Sequence, residues 1–319
     1  MEARVAISVC LMIEGQEGLT WDRWRRLARA AEDGGFEALF RSDHLTGLFG
    51  DPKRASLDTW ASLTWLASNT SRIRFGPLVC PLTFHHPALL AKRAAAVAEL
   101  SGGRLDLGIG AGWHEGEHAM FGIPFPSLKE RMDRFECGAR AIRALWQGHP
   151  VTLEQPYYPL REAESYPLPP GGRAPLIIGG RGEQRALRVV AACADEWNTT
   201  RITRDDYPAK RAVLERHCRA VGRDPSLIRR SLMVPYIVGR DARDRDARLA
   251  NARRIFPRVP DNEAAWRAAG FLFGAPRELV EELRAWEKLG VTRVMLQTLD
   301  MDDAAAIELL AREVVPACR

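Results

Sequence analysis

Residues able to support catalysis or ligand binding are concentrated between positions 108 and 118 of this 319-residue chain, where the sequence is Gly-Ile-Gly-Ala-Gly-Trp-His-Glu-Gly-Glu-His. The glycines could form a turn that binds a nucleotide phosphate. His114, Glu115 and His118 match the H-E-x-x-H pattern, in which two histidines one helical turn apart hold zinc. The apolar residues 105–109 instead predict a buried strand whose end opens into an active site. These three interpretations exclude one another.

The spacing within this stretch disfavours the first two interpretations. A dinucleotide fingerprint, G-x-G-x-x-G, would need glycine at position 113 or 115, where the chain has Trp113 and Glu115. A zinc-protease helix must be continuous through both histidines, but Gly116 stands between His114 and His118, and no third ligand follows at the expected distance. We therefore expect no metal site, and a zinc hydrolase remains only a remote alternative.

A strand that ends in an active site explains the same residues better. The segment 110–112, Gly-Ala-Gly, carries little side chain, so its backbone could closely approach a flat ligand. Trp113 follows, and then come Glu115 and Glu117 as candidate proton carriers. If the strand belongs to a parallel α/β barrel, these residues lie at the carboxyl end of the strands, where barrel enzymes hold their catalytic groups.

Two further strands are predicted to end in functional residues. Asp43 and His44 follow the second predicted strand, and a carboxylate beside an imidazole can transfer protons or bind the polar edge of a ring. Residues 76–81, Gly-Pro-Leu-Val-Cys-Pro, end the third predicted strand. Prolines on both sides of an apolar tripeptide interrupt a sheet ladder, so this segment predicts a bulge.

A glycine-rich loop, Gly179-Gly180-Arg181-Gly182, follows the fifth predicted strand and precedes a helix. Backbone N–H groups at a helix N-terminus, together with an arginine, form a cradle for an anion. The net charge of +5 and the pI of about 9 also favour an anionic ligand. The loop therefore predicts a phosphate site.

Apolar strand-like runs alternate with amphipathic helical segments along the whole chain, which predicts the α/β class. The predicted strands are Val5–Cys10, Ala38–Arg41, Ile73–Cys80, Leu105–Ile109, Leu176–Gly179, Glu196–Thr199, Ser231–Val238 and Arg293–Thr298. Eight strands, each followed by a helix, predict a single (β/α)8 TIM barrel over residues 1–319. A doubly wound sheet is the competitor, but no nucleotide fingerprint follows the first strand. We expect an irregular insertion at 148–174, after helix 4, and extra helices at 241–270, after strand 7.

The composition limits where the protein works and what it binds. Hydrophobic residues make up 46% and charged residues 27%, as in globular proteins. We expect no membrane span, since no run of ~18 uncharged apolar residues occurs, and a cytoplasmic location, since a signal-peptide pattern is lacking. The six cysteines are scattered without a C-x-x-C pair, so they predict neither a zinc cluster nor a disulfide framework. The basic residues are dispersed, which favours a small-molecule substrate over nucleic acid.

The strand-end segments together resemble the luciferase-like monooxygenase superfamily of flavin and deazaflavin oxidoreductases, over nearly the whole chain. The matching segments are Gly35-Phe36, Ser42 to His44, Leu78 to Pro81 with His86-Pro87, Gly108 to Trp113 with Phe121 to Phe125, and Ile177 to Gly182 with Ala194 to Asn198. Gly-Ala-Gly-Trp and Ala-Asp-Glu-Trp-Asn are more typical of the branch that uses coenzyme F420, a deazaflavin, than of the FMN branch.

The resemblance implies a ring-shaped cofactor over the barrel mouth, against the bulge at Leu78 and Val79, which such enzymes often hold as a non-proline cis peptide. It implies hydride transfer between C5 of the deazaflavin and a substrate carbon. The loop 179–182 would bind the cofactor's phosphate. The residues expected to contact the cofactor are Asp43, His44, Leu78, Val79, Cys80, Gly110, Ala111, Gly112, Trp113, Gly179, Gly180, Arg181, Gly182 and Asn198.

Two residues depart from the family's pattern. Many relatives have threonine or serine at the position of Cys80, so the hydrogen bond that such a residue makes to the cofactor is not expected here. Sugar-phosphate-oxidising relatives have a catalytic glutamate at the position of Trp113, so oxidation of a sugar phosphate is not expected. The candidate catalytic residues are therefore His44 first, then Glu115 and Glu117. We expect reduction of a C=C or C=N bond or oxidation of an alcohol; the alternatives are an FMN-dependent monooxygenase and a non-catalytic anion-binding barrel.

The substrate would be contacted by the two insertions, around Tyr157, Tyr158 and Trp266. The family also implies a homodimer.

Overall fold

The computed structural model describes residues 7–49 and 51–319. The strands are β1 (Ser8–Ile13), β2 (Ala38–Arg41), β3 (Arg74–Pro77), β4 (Cys80–Pro81), β5 (Leu107–Gly110), β6 (Val151–Leu153), β7 (Leu160–Ala163), β8 (Leu176–Gly179), β9 (Glu196–Thr200), β10 (Arg229–Val238), β11 (Leu272–Gly274) and β12 (Arg293–Thr298). The α-helices are α1 (Trp21–Asp33), α2 (Thr59–Asn69), α3 (Pro87–Leu100), α4 (Glu115–Met120), α5 (Leu128–Leu145), α6 (Ala186–Cys193), α7 (Tyr207–Ala220), α8 (Ala242–Ile255), α9 (Glu263–Ala268), α10 (Pro276–Lys288) and α11 (Ala304–Leu309).

The alternation of strands and helices agrees with the sequence prediction, and β2, β8 and β12 have the predicted bounds. The first two residues of the first predicted strand, 5 and 6, lie outside the described residues. Its observed counterpart, β1, ends at Ile13, three residues beyond the predicted end at Cys10. The helices α8 and α9 confirm the extra helices at 241–270.

The chain divides into two compact units. Unit 1 comprises Met1–Asp58, Asn198–Ala212 and Arg229–Arg319, and unit 2 comprises Thr59–Trp197 and Val213–Ile228. The boundary falls within β9 and α7. The prediction of one domain over residues 1–319 stays a prediction.

Unit 1 contains a parallel sheet in the order β2-β1-β12-β10-β11. In β1 and β12, Ser8 lies opposite Arg293 and Ile13 opposite Thr298. Most residues of β1, β2, β10 and β12 are buried on both faces, as is usual for parallel strands, which explains their nearly continuous apolar runs. Because the strands are parallel, the segments that follow β1, β2, β10 and β12 all leave from the same edge.

Unit 2 contains parallel pairs β4–β5 and β5–β8, with Cys80 opposite Ile109 and Leu107 opposite Leu176. The third predicted strand is interrupted: β3 ends at Pro77, β4 begins at Cys80, and the peptide between them, Leu78–Val79, is cis. The predicted bulge is therefore confirmed.

The segment 148–174 was predicted to be irregular throughout, but part of it is regular. It contains an antiparallel hairpin of β6 and β7, in which the apolar Val151 and Leu160 are buried. Thr152 and Glu162 join the two strands by side-chain hydrogen bonds, including one of 2.9 Å between Thr152 Oγ1 and Glu162 Oε1. Strands of three and four residues are too short to show alternation, so the prediction was wrong for residues 151–163.

Two other expectations from composition can be checked. Within the described residues, no helix has the length and apolar character needed to cross a membrane. All six cysteines are described, and each is buried and free of disulfide bonds, as the scattered spacing predicts.

Candidate functional site

A buried network of polar side chains joins the carboxyl ends of the strands in unit 1. Glu14 follows β1, and its Oε2 accepts a hydrogen bond of 2.8 Å from Gln16 Nε2, while its Oε1 accepts one from Gln297 Nε2. Gln16 Oε1 in turn accepts from Ser42 Oγ, and Ser42 Oγ accepts from the Gly15 N–H at 2.9 Å. The Gly15 N–H can only donate, so it fixes the direction of every hydrogen bond in the network. The oxygen of the Gln16 amide accepts, its nitrogen donates, and the Glu14 carboxylate only accepts.

Sequence reasoning missed this network. Glu14, Gln16 and Ser42 are all less than 9% exposed. The available signal was a pair of polar residues directly after the apolar run of β1, but the partners at positions 42 and 297 are distant in sequence. Only the parallel pairing of β1 with β2 and β12 brings them to one edge.

Asp43 and His44 occupy the predicted position directly after β2. Asp43 is buried and His44 is half-buried. Ser56 Oγ donates a hydrogen bond of 3.1 Å to the His44 carbonyl, and the buried Arg41 guanidinium donates to the Leu57 carbonyl at 2.9 Å. The loop after β2 is thereby fixed at both of its ends.

Asn198, the remaining cofactor candidate in unit 1, is 5% exposed and its amide is used within the protein. Its Nδ2 donates to Ser231 Oγ at 2.9 Å and to Met295 Sδ at 3.4 Å. If the Asn198 side chain hydrogen-bonds to a cofactor, its Oδ1 must therefore be the acceptor.

In unit 2, three glycines surround the side chain of Val79. A Cβ atom on Gly108 would overlap the Pro77 carbonyl oxygen and lie 3.0 Å from Val79 Cγ1. A Cβ on Gly110 would lie 2.7 Å from Val79 Cγ2, and one on Gly179 would lie 3.4 Å from Val79 Cγ1. The glycines of β5 and β8 therefore make room for the bulge and hold Val79, which is half-buried.

This packing gives a second reason for the glycine-rich segment 110–112, and the predicted close approach to a flat ligand stays a prediction. Gly110 accommodates Val79, and Gly112, with φ of +75°, places its Cα where a Cβ would overlap Thr83 Oγ1. Arg131 Nη1 donates to the Gly112 carbonyl at 2.5 Å. The small residues are thus required first by contacts within the protein, and Ala111 between them is half-buried.

The zinc interpretation receives no support from the structure. His114 caps α4, since its Nδ1 accepts a hydrogen bond of 3.1 Å from the Glu117 N–H. His118 is 1% exposed and its Nδ1 lies 2.7 Å from the His114 carbonyl oxygen. Among the described residues, His114, Glu115 and His118 do not form a set whose ligand atoms converge.

The candidate catalytic residues after β5 have contrasting environments. Trp113 is 60% exposed and its ring stands edge-on to His114, with centroids 5.1 Å apart. Glu115 is exposed, whereas Glu117 is 1% exposed.

The loop 179–182 begins half-buried at Gly179 and Gly180 and becomes exposed at Arg181 and Gly182. Gly180 has φ of +143°, a conformation that favours glycine. Its carbonyl oxygen accepts a hydrogen bond of 2.7 Å from the indole N–H of Trp197, a contact that sequence reasoning missed. The α6 helix follows at Ala186, as the prediction of a loop before a helix requires.

The residues expected to contact the substrate do not share one environment. Tyr158 packs edge-on against His86 at 5.1 Å, and Tyr157 lies under the Arg134 guanidinium at 4.8 Å, so both remain partly accessible. Trp266 is 0% exposed, and its indole donates to the Leu272 carbonyl at 2.9 Å. The prediction for Trp266 is therefore wrong, because its ring fills the core between the inserted helices and β11. Cys80 is likewise fully buried.

Residues 1–273 match the model of the luciferase-like monooxygenase family. The chain belongs to this family. An F420-dependent glucose-6-phosphate dehydrogenase of Nakamurella multipartita is 28% identical over 92% of this chain and 91% of its own length. An FMNH(2)-dependent dimethylsulfone monooxygenase of Pseudomonas putida is 24% identical over 96% and 90%.

Solved structures show the same fold. An F420-dependent secondary alcohol dehydrogenase, in complex with an F420-acetone adduct, is similar with a TM-score of 0.83, 22% identity, and coverage of 98% of this chain and 99% of its own. The predicted α/β barrel class, the family and the assignment as an oxidoreductase are therefore confirmed.

Proposed function

We propose that this protein is an F420-dependent oxidoreductase that transfers a hydride between C5 of the deazaflavin and a small organic substrate. The observation that carries the proposal is the half-buried Val79, held at its bulge by Gly108, Gly110 and Gly179. A rigid apolar side chain in a backbone cradle is a suitable support for a flat ring. The F420-dependent glucose-6-phosphate dehydrogenase is 28% identical to this chain and the FMNH(2)-dependent monooxygenase is 24% identical, which favours the deazaflavin.

The residues of the chain fit such a cofactor. The N–H groups of the loop 179–182 would bind its phosphate, and the exposed Arg181 would add positive charge. When bound, the deazaflavin supplies or accepts the hydride. His44, with a half-buried imidazole, would hold or release the proton at the substrate oxygen or nitrogen, and Asp43 beside it would orient the ring edge.

The reaction is proposed to be alcohol oxidation or reduction of a C=C or C=N bond. The family resemblance implies that Trp113 stands where sugar-phosphate-oxidising members have a glutamate; Trp113 carries no ionisable group and is 60% exposed. It could contact a substrate by packing but could not transfer a proton. Oxidation of a sugar phosphate is therefore disfavoured.

An FMN-dependent monooxygenase is the second candidate, because the Pseudomonas putida relative matches 96% of the chain. The two candidates separate on cofactor binding. We expect quenching of tryptophan fluorescence to give a dissociation constant for F420 at least tenfold below that for FMN. Tight FMN binding without F420 binding would favour the monooxygenase instead.

The role of His44 has its own test. With F420 and a panel of secondary alcohols, a His44→Ala variant should still bind the deazaflavin through its other contacts but reduce it at least a hundredfold more slowly at saturating F420, the usual contribution of general acid–base catalysis. Glu115→Ala removes the exposed carboxylate of the next candidate residue, and it should retain activity if His44 carries the proton. An active His44→Ala variant would assign the proton to another residue.

A further inference from the structure

Trp197, in unit 2, is one of the largest fully buried side chains among the described residues, and its indole contacts the loop that follows β8. At the amino end of β8, Asp195 pairs with Leu176: the Asp195 N–H donates to the Leu176 carbonyl at 2.9 Å, and Asp195 Oδ2 accepts from the Leu176 N–H at 2.8 Å. At the carboxyl end, Trp197 Nε1 donates to the Gly180 carbonyl at 2.7 Å. Asp195, just before β9, thus contacts the first residue of β8, and Trp197, in β9, contacts the residue that follows β8.

The second of these contacts fixes the orientation of a peptide plane. The carbonyl of residue 180 and the N–H of residue 181 belong to one planar trans peptide, so they point in opposite directions. Because the Gly180 carbonyl faces the buried indole, the Arg181 N–H points away from that indole. Glycine at position 180, with φ of +143°, allows this orientation.

We propose that Trp197 is a positioning residue that makes this loop selective for a phosphate-bearing cofactor. The inference rests on the proposed phosphate site at residues 179–182. An oriented N–H attracts an anion, whereas a carbonyl oxygen turned to the same side would repel it. The indole therefore determines whether the Gly180–Arg181 peptide presents a donor or an acceptor to the phosphate, without touching the ligand itself.

The experiment compares cofactors with and without phosphate. Binding of F420 and of the phosphate-free deazaflavin riboside, and likewise of FMN and riboflavin, is measured for the wild type and for Trp197→Phe. Phenylalanine retains an aromatic ring but removes the N–H. We expect the preference for the phosphate-bearing partner to fall about tenfold or more, the size of one lost hydrogen bond to a charged group. Affinity for the phosphate-free partner should stay within about twofold, which a general loss of structure would not produce.

Trp266→Phe is the matched control, because Trp266 is equally buried and its N–H also donates to a backbone carbonyl, that of Leu272. It should lower stability to a similar degree and leave the phosphate preference unchanged. If Trp197→Phe fails to fold, benzothienylalanine at position 197 retains the bicyclic shape without the N–H donor.

The outcomes separate the inference from the proposed function. If the wild type prefers phosphate-bearing cofactors and Trp197→Phe retains that preference, the role of Trp197 is refuted while the proposed function stands. If the wild type binds neither deazaflavin nor flavin, the proposed function fails. If it binds them without regard to phosphate, the phosphate site and the role of Trp197 fail together.

Discussion

The carboxyl ends of the strands are built differently in the two units. In unit 1, side chains form this end of the sheet: Glu14, Gln16, Ser42 and Gln297 are joined by hydrogen bonds of fixed direction. In unit 2, the backbone forms it, since the glycines of β5 and β8 leave room only for the bulge that carries Val79. One region depends on matched donors and acceptors, and the other depends on missing side chains.

The difference predicts opposite responses to substitution. In unit 1, changes of hydrogen-bonding type should be costly and changes that restore complementarity should be tolerated. In unit 2, an added atom that overlaps the bulge, as at Gly108 and Gly110, should be costly whatever its polarity, because the interior there is already closely packed.

The largest effect is expected for Gly108→Ala. The added methyl group would overlap the Pro77 carbonyl oxygen, which belongs to the backbone and cannot rotate away. We expect the free energy of unfolding to fall by about 3 kcal/mol, measured by urea denaturation. Gly179→Ala is the control, since its Cβ would lie at an ordinary contact distance of 3.4 Å from Val79 Cγ1. Equal stability of both variants would contradict the packing described for the cradle.

A smaller effect is expected for Glu14→Gln. The new amide would place one donor against the amide donors of Gln16 and Gln297, so the free energy of unfolding should fall by about 2 kcal/mol. The double variant Glu14→Gln/Gln16→Glu should recover most of the loss. In the double variant, Ser42 and the new amide at position 14 both donate to the carboxylate at position 16. Absence of recovery would show that the direction of the network is not what stabilises it.

The amino edge of unit 1 adds a charged pair to the comparison. Burial of the Glu37 carboxylate raises its pKa, but two hydrogen bonds from Arg229, at 2.7 and 2.9 Å, and the charge of Arg293 outweigh burial and lower the pKa from 4.5 to about 2. The folded-state pKa is below the unfolded value, so the stabilisation is complete above pH 4.5 and is lost as the pH falls towards 2.

We therefore expect Glu37→Gln to lose on the order of 1–2 kcal/mol at neutral pH relative to the wild type. The two proteins should converge in stability between pH 4.5 and 2. Urea denaturation at a series of pH values measures this, with Glu115→Gln, at an exposed position, as the control. A constant difference across that range would refute the assignment of the low pKa.

The smallest effect is expected for His118→Phe in unit 2. The His118 ring lies between Phe84 at 4.5 Å and Phe125 at 4.7 Å, and its buried Nε2 has no hydrogen-bond partner among the described residues. Phenylalanine removes that unsatisfied atom but also the contact of Nδ1 with His114, so the change in stability should stay within about 1 kcal/mol.

His118→Ala leaves a cavity between the two rings and should cost about 3 kcal/mol by thermal unfolding. If His118→Phe and His118→Ala lose equal stability, and both lose zinc that the wild type binds stoichiometrically, the packing role of His118 is refuted and a zinc hydrolase is favoured instead.

The sequence predicted the main strands and helices because long apolar runs and helical periodicity are local signals. It also located the bulge from Pro77 and Pro81, and the loop 179–182 from its glycines. It did not predict β6, β7 or β11, whose three or four residues carry little periodicity.

The contacts within the candidate site were less predictable for a physical reason. The glycine at 108 is explained by the Pro77 carbonyl and Val79, and the tryptophan at 197 by the carbonyl at 180, partners that are distant in sequence. Trp266 was misassigned for the same reason, because a large apolar residue in an insertion has the same local sequence whether it faces a ligand or fills a core.

A co-crystal structure with F420 tests the central claim most directly, namely that the backbone cradle of unit 2 supports the cofactor. We predict that the deazaflavin ring contacts the Val79 side chain and that the phosphate accepts hydrogen bonds from N–H groups of residues 179–182. A ring bound away from Val79, or a phosphate bound elsewhere, would contradict the account.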